Sequence, residues 1–228
     1  MALATASIFG TPNVGVYAVA NDEIALVPTN APEKFTKLII EILNVEDIVK
    51  CSIGGLSIIG VLAVMNNHGI LLPKIVLDYE LDLIKKTLKS SLEVAIVQDT
   101  KYTALGNLIL ANNHAALTYT HLEGNVLKTI EDVLDVEVMR GDISDEITLV
   151  GSAGVINDYG LLLHPSASES KIRELMEFFK VSQADVGTIN RGVPFLRTGI
   201  VTNNKGAIVG EESTGPELMH IGRVLGVS

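Results

Sequence analysis

Short apolar runs alternate with polar turns along the chain in a pattern that occurs five times. Each copy begins with a glycine, continues with about five mostly apolar residues and an asparagine, and then turns into a second apolar run. Two apolar runs joined by a short polar turn are typical of a β-hairpin. The copies occupy residues 15–21, 60–66, 106–112, 151–157 and 197–203, and the fifth has Arg197 in place of the glycine.

One asparagine ends the first apolar run of every copy: Asn21, Asn66, Asn112, Asn157 and Asn203. Their separations are 45, 46, 45 and 46 residues, which indicates internal repeats. We interpret these asparagines mainly as turn residues whose side chains bond to the nearby backbone. Gly69, Gly160 and Gly206 follow three residues later, where we expect a positive φ.

An amphipathic helix is predicted after each hairpin. In the second copy Leu77, Leu81, Ile84 and Leu88 form one apolar stripe at helical spacing. A further strand, such as residues 93–97, completes each unit. Three helix starts are predicted from capping-box spacing, at Asn30 with Glu33, Ser166 with Glu169 and Thr214 with Glu217.

The ends of the repeat array indicate how it is closed. Open arrays normally carry polar capping repeats, whereas the first and last copies here are as apolar as the middle ones. We therefore predict an α/β fold, a five-bladed α/β propeller that forms a closed ring of ββαβ repeats, each of about 45 residues. The predicted repeats are residues 1–51, 52–98, 99–142, 143–187 and 188–228, in one domain spanning 1–228.

Composition narrows the function classes. The net charge of −10 argues against DNA binding, which requires clustered cations to neutralise phosphates. The longest apolar stretch, residues 53–65, is interrupted by glycines and is too short to cross a membrane. The single cysteine, Cys51, excludes an internal disulfide and fits a reducing compartment. We expect a cytoplasmic protein that acts as a monomer.

No motif predicts a cofactor or a metal. A glycine-rich nucleotide fingerprint and a phosphate-binding Gly-Lys-Ser/Thr loop are both absent from the sequence. His114 and His121 are seven residues apart, and no cysteine joins them at metal-ligand spacing. We therefore expect neither a cofactor nor a metal site.

A catalytic alternative arises from the predicted architecture. Five-bladed α/β rings, the pentein fold, also occur in guanidine-modifying hydrolases and transferases. Such enzymes need a nucleophilic cysteine near the C-terminus together with a histidine base. The last repeat contains no cysteine, and Cys51 lies in an apolar context typical of an inert thiol. We expect a protein that is not an enzyme.

Seven short segments stand in a specific order along nearly the whole chain. They are Ile53-Gly54-Gly55 through Gly60, residues 66–73, Thr103-Ala104-Leu105-Gly106-Asn107, residues 149–152, residues 160–165, Gly187-Thr188-Ile189-Asn190-Arg191-Gly192, and Thr214-Gly215-Pro216-Glu217-Leu218. Each segment is weak alone, but the ordered set resembles the archaeal translation initiation factor 6 family.

The resemblance implies a non-catalytic ring that binds the large ribosomal subunit at its subunit-joining face. It implies contact with ribosomal protein uL14, close to the sarcin–ricin loop of the large rRNA. A ring in that position would sterically prevent association with the small subunit, so that the function would be anti-association during initiation or ribosome biogenesis.

The charge distribution and the resemblance together suggest where the ribosome would bind. The five predicted repeats carry charges of −3, 0, −4, −4 and +1, so the strand-and-loop rim is favoured over the acidic helices of the third and fourth repeats. An amide at position 107, where other repeats have Val16 and Val61, needs either a local backbone bond or a partner. Arg191 suits phosphate or carboxylate contact. The predicted ribosome-binding residues are Asn107, Asn190 and Arg191, with Asn66 and Ser152 as weaker candidates.

Overall fold

Five small β-sheets form the framework of the protein. The computed structural model describes residues 2–88, 92–98 and 100–227. Within these residues each sheet has three strands. A hairpin supplies two antiparallel strands, and a third strand pairs in parallel with the second. The predicted five-bladed α/β fold is therefore confirmed.

We number the blades 1 to 5 by the order of their hairpins and name the strands of each sheet inner, middle and outer. The first four blades take their strands in chain order. These strands are Val19–Ala20, Ile24–Pro28 and Asp47–Cys51 in blade 1, Val64–Met65, Gly69–Pro73 and Glu93–Val97 in blade 2, Ile109–Ala111, Ala115–Tyr119 and Glu137–Gly141 in blade 3, and Gly154–Ile156, Gly160–Leu163 and Gln183–Val186 in blade 4.

Blade 5 closes the ring with a strand from the opposite end of the chain. Its inner and middle strands are Ile200–Thr202 and Gly206–Gly210, and its outer strand is Ala2–Ala6. The pairing runs from Ala2 opposite Gly206 to Ala6 opposite Gly210. The predicted boundary at residue 51 groups these N-terminal residues with the first repeat, because proximity in sequence carries no signal for a partner some 200 residues away.

Inner strands of neighbouring blades contact one another all the way round the ring, including blade 5 with blade 1.

Five helices pack their apolar faces against the sheets, and we call them the outer helices. Blade 1 shows the pattern: Phe35, Ile39 and Leu43 pack with Val201 and Ile208 of blade 5. The helices are Glu33–Leu43, Asp78–Thr87, Gly124–Leu134, Glu169–Phe178 and Gly215–Val224.

Two of the three capping-box predictions are wrong. At the fifth helix the prediction is correct, because Thr214 Oγ1 accepts from the Glu217 N–H and the Glu217 carboxylate accepts from the Thr214 N–H. The first helix begins after Pro32, whose ring already fixes the backbone at the helix entry. The fourth is capped by Ser168, two residues beyond the predicted Ser166.

Hairpin glycines serve close packing and not turn geometry. Gly69, Gly160 and Gly206 do not have the predicted positive φ. A Cβ atom at each position would overlap a backbone carbonyl oxygen of an outer helix, so glycine is required by the approach of helix to hairpin. The opposing oxygens belong to Val133, Val224 and Ile42.

Among the helices that the structure describes, none is long and apolar enough to cross a membrane.

Candidate functional site

The axis of the ring has two chemically different ends. Each inner strand runs from a helical turn to one of the five repeat asparagines, so the turns and the asparagines lie at opposite ends. We call these the helical-turn end and the asparagine end. The turns are Val14–Tyr17, Ile59–Leu62, Leu105–Leu108, Val150–Ala153 and the 3-10 turn Leu196–Gly199.

At the asparagine end the repeat asparagines form a closed cycle of hydrogen bonds. The Asn21 amide donates to the Asn66 carbonyl at 2.9 Å, and the cycle continues through Asn112, Asn157 and Asn203 back to the Asn21 carbonyl. All five side chains are buried. The asparagines are therefore the hydrogen-bonded link between neighbouring blades as well as local turn residues.

Asn66 illustrates why asparagine is needed at these positions. Its Oδ1 accepts from the N–H groups of His68 and Gly69. Its Nδ2 donates to the carbonyls of Asn112 and Leu134, the latter at the end of an outer helix. Both acceptor positions and both donors of the amide are occupied, and an aspartate could not supply the donors. Asn66, a weaker predicted binding residue, is thus buried and fully bonded.

A second polar layer covers this cycle. The five residues after the asparagines form another cycle, in which the backbone N–H of Asp22 donates to Asn67 Oδ1 and so on to Asn204, whose N–H donates to Asp22 Oδ1. Asn204 Nδ2 also donates to both Asp22 and Asp158 carboxylates. The polar side chains at the asparagine end bond to neighbouring blades, so this end serves to hold the ring together.

The helical-turn end is held together by glycine. A Cβ atom at Gly15, Gly60, Gly106 or Gly151 would overlap a backbone carbonyl oxygen of the preceding turn round the ring. The close approach fixes the spacing of the blades without using polar side chains.

Five of the large apolar side chains that the structure exposes lie on the loops that surround the turns. Phe9, Leu56 and Leu149 are 43%, 45% and 44% exposed, and Val193 and Phe195 are also exposed. Residues 7–13 and 52–58, which form the loops leading into the turns of blades 1 and 2, contain no charged residue. The corresponding loop of blade 4 is acidic, with Asp142, Asp145 and Glu146. We call the loops of blades 5, 1 and 2 the apolar sector; those of blades 1 and 2 are uncharged, and that of blade 5 carries Arg191.

Asn107 lies at this end, within the turn of blade 3. It is half-buried, and its side chain makes no hydrogen bond to any residue that the structure describes. The equivalent residue of blade 4, Ser152, is buried, and its hydroxyl donates to the Leu149 carbonyl. Of these two predicted residues, only Asn107 has side-chain polar atoms left for a partner.

Asn190 and Arg191 occupy a tightly wound loop. Asn190, Arg191 and Gly192 have consecutive left-handed backbones, with φ of 44°, 64° and 98°. Such a conformation is costly for residues other than glycine and persists only where the surroundings hold it. Hydrogen bonds to a residue outside the loop hold this backbone in place.

Glu217 holds the loop through its carboxylate. It accepts from the backbone N–H groups of Arg191 and Gly192 and from the Thr188 hydroxyl. Burial alone would raise the pKa of Glu217, but these bonds and those from Thr214 outweigh it and lower the pKa to about 2. Sequence reasoning identified Glu217 only as a helix cap and missed the loop contact, because that contact joins residues 25 and more positions apart.

Glu80 performs the same task in blade 2. Its carboxylate accepts from the N–H groups of Gly54 and Gly55 and from the Ser52 hydroxyl. Hydrogen bonding lowers the pKa of Glu80 even though burial opposes it. The two glutamates thus hold the two outermost loops of the apolar sector, those of blades 5 and 2.

The two predicted loop residues have different environments. Asn190 is buried, and its Nδ2 lies 3.4 Å from the Pro12 carbonyl of the neighbouring loop. A Cβ atom at Gly199 or Gly210 would overlap the Asn190 amide, which shows how closely it is packed. Arg191 is exposed, and its guanidinium has no hydrogen bond or ion pair to the described residues. Asn190 therefore positions the loop, whereas Arg191 is available for contact.

Cys51 is unsuited to nucleophilic catalysis. Its side chain is fully buried, and burial together with the charge of Glu80 raises the thiol pKa to about 12. Within residues 2–88, 92–98 and 100–227, no group of three or more His, Cys, Asp or Glu side chains is arranged to hold a metal ion.

The amino-acid sequence matches that of a known protein family. The model of the eIF-6 family matches residues 3–224. The chain belongs to the eIF-6 family. A protein of Staphylothermus marinus named translation initiation factor 6 is 44% identical over 225 residues, covering 99% of this chain and 98% of its own length. The protein of that name from Pyrobaculum aerophilum is 42% identical over 219 residues, which cover 96% of this chain and 96% of its own length. The one from Pyrococcus abyssi is 43% identical over 219 residues, which cover 95% of this chain and 95% of its own length.

The resemblance to translation initiation factor 6 is thus confirmed over nearly the full chain. Membership of the eIF-6 family supports a role as a translation initiation factor, which implies a factor that does not act by catalysis. This agrees with the chemistry of Cys51, the only thiol in the sequence.

Proposed function

We propose that this protein binds the large ribosomal subunit at its subunit-joining face and sterically prevents association with the small subunit. The contacting partner is ribosomal protein uL14, at a position close to the sarcin–ricin loop of the rRNA. One ring of residues 1–228 acts as a monomeric domain, and the helical-turn end forms the interface.

The observation that carries this choice of face is the contrast between the two ends of the ring. At the asparagine end the amides and carboxylates bond to one another, so binding there would break existing bonds. At the helical-turn end exposed Phe9, Leu56 and Phe195 accompany the side chains of Asn107 and Arg191, which make no hydrogen bond to any residue that the structure describes. Exposed apolar groups beside a few free polar groups are typical of protein interfaces.

Asn107 and Arg191 supply specificity in this interface. Asn107 offers both a donor and an acceptor from a rigid helical turn. Arg191 presents a guanidinium that suits a carboxylate of a protein or a phosphate of rRNA. Asn190 contributes indirectly by holding the loop, and Asn66 and Ser152 contribute through the ring itself.

Co-sedimentation with separated ribosomal subunits tests the proposal. Asn107→Ala and Arg191→Ala should each reduce affinity for the large subunit by roughly 5- to 150-fold, the equivalent of about 1–3 kcal/mol for a bond at a desolvated interface. Subunit joining should recover in step with lost binding, because exclusion depends only on occupancy.

Lys86→Ala is the matched control. Lys86 is exposed on the outer helix of blade 2, away from the helical-turn end, and its removal should leave affinity unchanged. If Lys86→Ala weakens binding while both other variants bind normally, the ring docks through its helices and the chosen face is wrong.

A further inference from the structure

Arg197 breaks the fivefold pattern at the axis of the ring. It occupies the position held by Gly15, Gly60, Gly106 and Gly151 in the other turns. Those glycines permit backbone contacts that a Cβ atom would prevent. The turn that contains Arg197 is a 3-10 turn, whereas the other four are α-helical. The sequence therefore places one long cationic side chain where the other four blades have none.

The side chain of Arg197 lines a cavity of about 50 Å³ on the axis. Residues of all five inner strands contribute to its wall, among them Ala20, Met65, Ala111 and Ile156. Thr202 also lines it, but its hydroxyl donates to the carbonyls of Asn203 and Gly206. Among the described lining residues, Arg197 alone carries a charge.

Arg197 has no protein counterion. Its guanidinium makes no hydrogen bond and no ion pair to any residue in the described part of the chain. Burial lowers the pKa of Arg197 to about 10, which still leaves the group protonated at neutral pH. Arg197 is partly exposed, so water reaches its charge, but water solvates the charge without neutralising it.

We propose that the axial cavity is a binding site for a small inorganic anion, held by the Arg197 guanidinium. The size of the cavity sets the class of ligand. A single water needs about 10–15 Å³ of such space, so about 50 Å³ accommodates a halide ion with a few waters and excludes nucleotides and organic phosphates. The anion would neutralise the charge of Arg197, and so would stabilise the closed ring.

Bromide anomalous diffraction locates the site directly. Crystals grown in sodium bromide should show an anomalous peak in the axial cavity within about 3.5 Å of the Arg197 guanidinium. Crystals of Arg197→Met, which keeps the length of the side chain and removes its charge, should lack that peak. Arg140→Met serves as the control, since Arg140 is exposed on the outer strand of blade 3 and should leave the peak in place.

Thermal unfolding tests whether the site is occupied in solution. Replacing sodium gluconate by sodium chloride at constant ionic strength should raise the Tm of the wild type and of Arg140→Met, but not of Arg197→Met. If half-saturation lies near ~20 mM, ~200 mM chloride should raise the Tm by about 3–6 °C. Sulfate and phosphate arms distinguish a halide site from a general anion site.

The anomalous peak and the chloride dependence of the Tm together decide whether the anion site exists. An axial peak that disappears in Arg197→Met, with loss of the chloride response, supports the site. Absence of the peak overturns it, and so does a peak at crystal concentration with no change in Tm up to ~200 mM chloride. Should Arg197→Met fail to fold, Arg197→Gly restores the residue found in the other four turns and provides the same comparison.

Discussion

Glu217 offers the sharpest test of how the loop at residues 188–192 is held. In Glu217→Gln, an uncharged amide replaces a carboxylate that accepts from the N–H groups of Arg191 and Gly192. The folded pKa of about 2 against an ordinary value of 4.5 corresponds to about 3 kcal/mol. Because the side chain is half-exposed, solvent screening reduces this to about 1–2 kcal/mol of lost stability at neutral pH.

The pH dependence follows from the direction of the shift. A carboxyl whose folded pKa is lowered contributes stability above its unfolded pKa of 4.5, and loses it as the pH falls towards 2. With these values, about two-fifths of the contribution is lost on going from pH 6.5 to pH 3.5. The deficit of Glu217→Gln relative to wild type should therefore shrink by that fraction over the same interval.

Denaturant unfolding at the two pH values measures the deficit, and hydrogen exchange of the Arg191 and Gly192 amides shows whether the loss is local. Glu212→Gln is the matched control, since Glu212 is exposed and loses the same charge. An equal deficit at both pH values, or equal deficits for Glu217→Gln and Glu212→Gln, would refute the assignment of the stabilisation to the carboxylate.

Three further predictions concern the ring and its thiol. Asn66→Ala should cost about 3–5 kcal/mol, because it leaves buried backbone partners unsatisfied, and it should lower the denaturation midpoint far more than Lys85→Ala on an exposed helix surface. Gly60→Ala should lower the Tm strongly, since its Cβ would overlap the Gly15 carbonyl, whereas Gly124→Ala, with open space around it, should not. Cys51→Ser should leave large-subunit binding unchanged. Native Cys51 should resist thiol reagents until the protein unfolds, because its side chain is buried. Rapid labelling of the folded protein would contradict that burial.

The repeats were predictable because their signal is periodic and local. Asparagines at intervals of 45 and 46 residues predicted five hairpins, which the antiparallel inner and middle strands confirm. The role of those asparagines between blades was not predictable, since each bond joins residues far apart in sequence. For the same reason nothing in residues 2–6 indicates that they pair with Gly206–Gly210.

The candidate site was predictable only in part. An amide at position 107 among apolar neighbours is visible in the sequence, and the structure leaves it without a partner among the described residues. Sequence alone could not separate Asn190 from Arg191, because burial of the first and exposure of the second depend on how Glu217 and Pro12 approach the loop. The exposed phenylalanines were missed because an isolated apolar residue in a loop carries no sign of its exposure.

Comparison of the five repeats indicates which residues serve the ring and which are free for another purpose. A residue present in every repeat, such as the asparagine of the axial cycle, meets a requirement that occurs five times, namely closure. A partner without fivefold symmetry cannot be recognised by groups that repeat identically in five directions. Recognition must therefore use positions that differ between repeats, such as 16, 61, 107, 152 and 198, where the residues are Val, Val, Asn, Ser and Thr. These positions lie at the helical-turn end, where all but the buried Ser152 are partly exposed to solvent, which is the physical reason to look for the partner there.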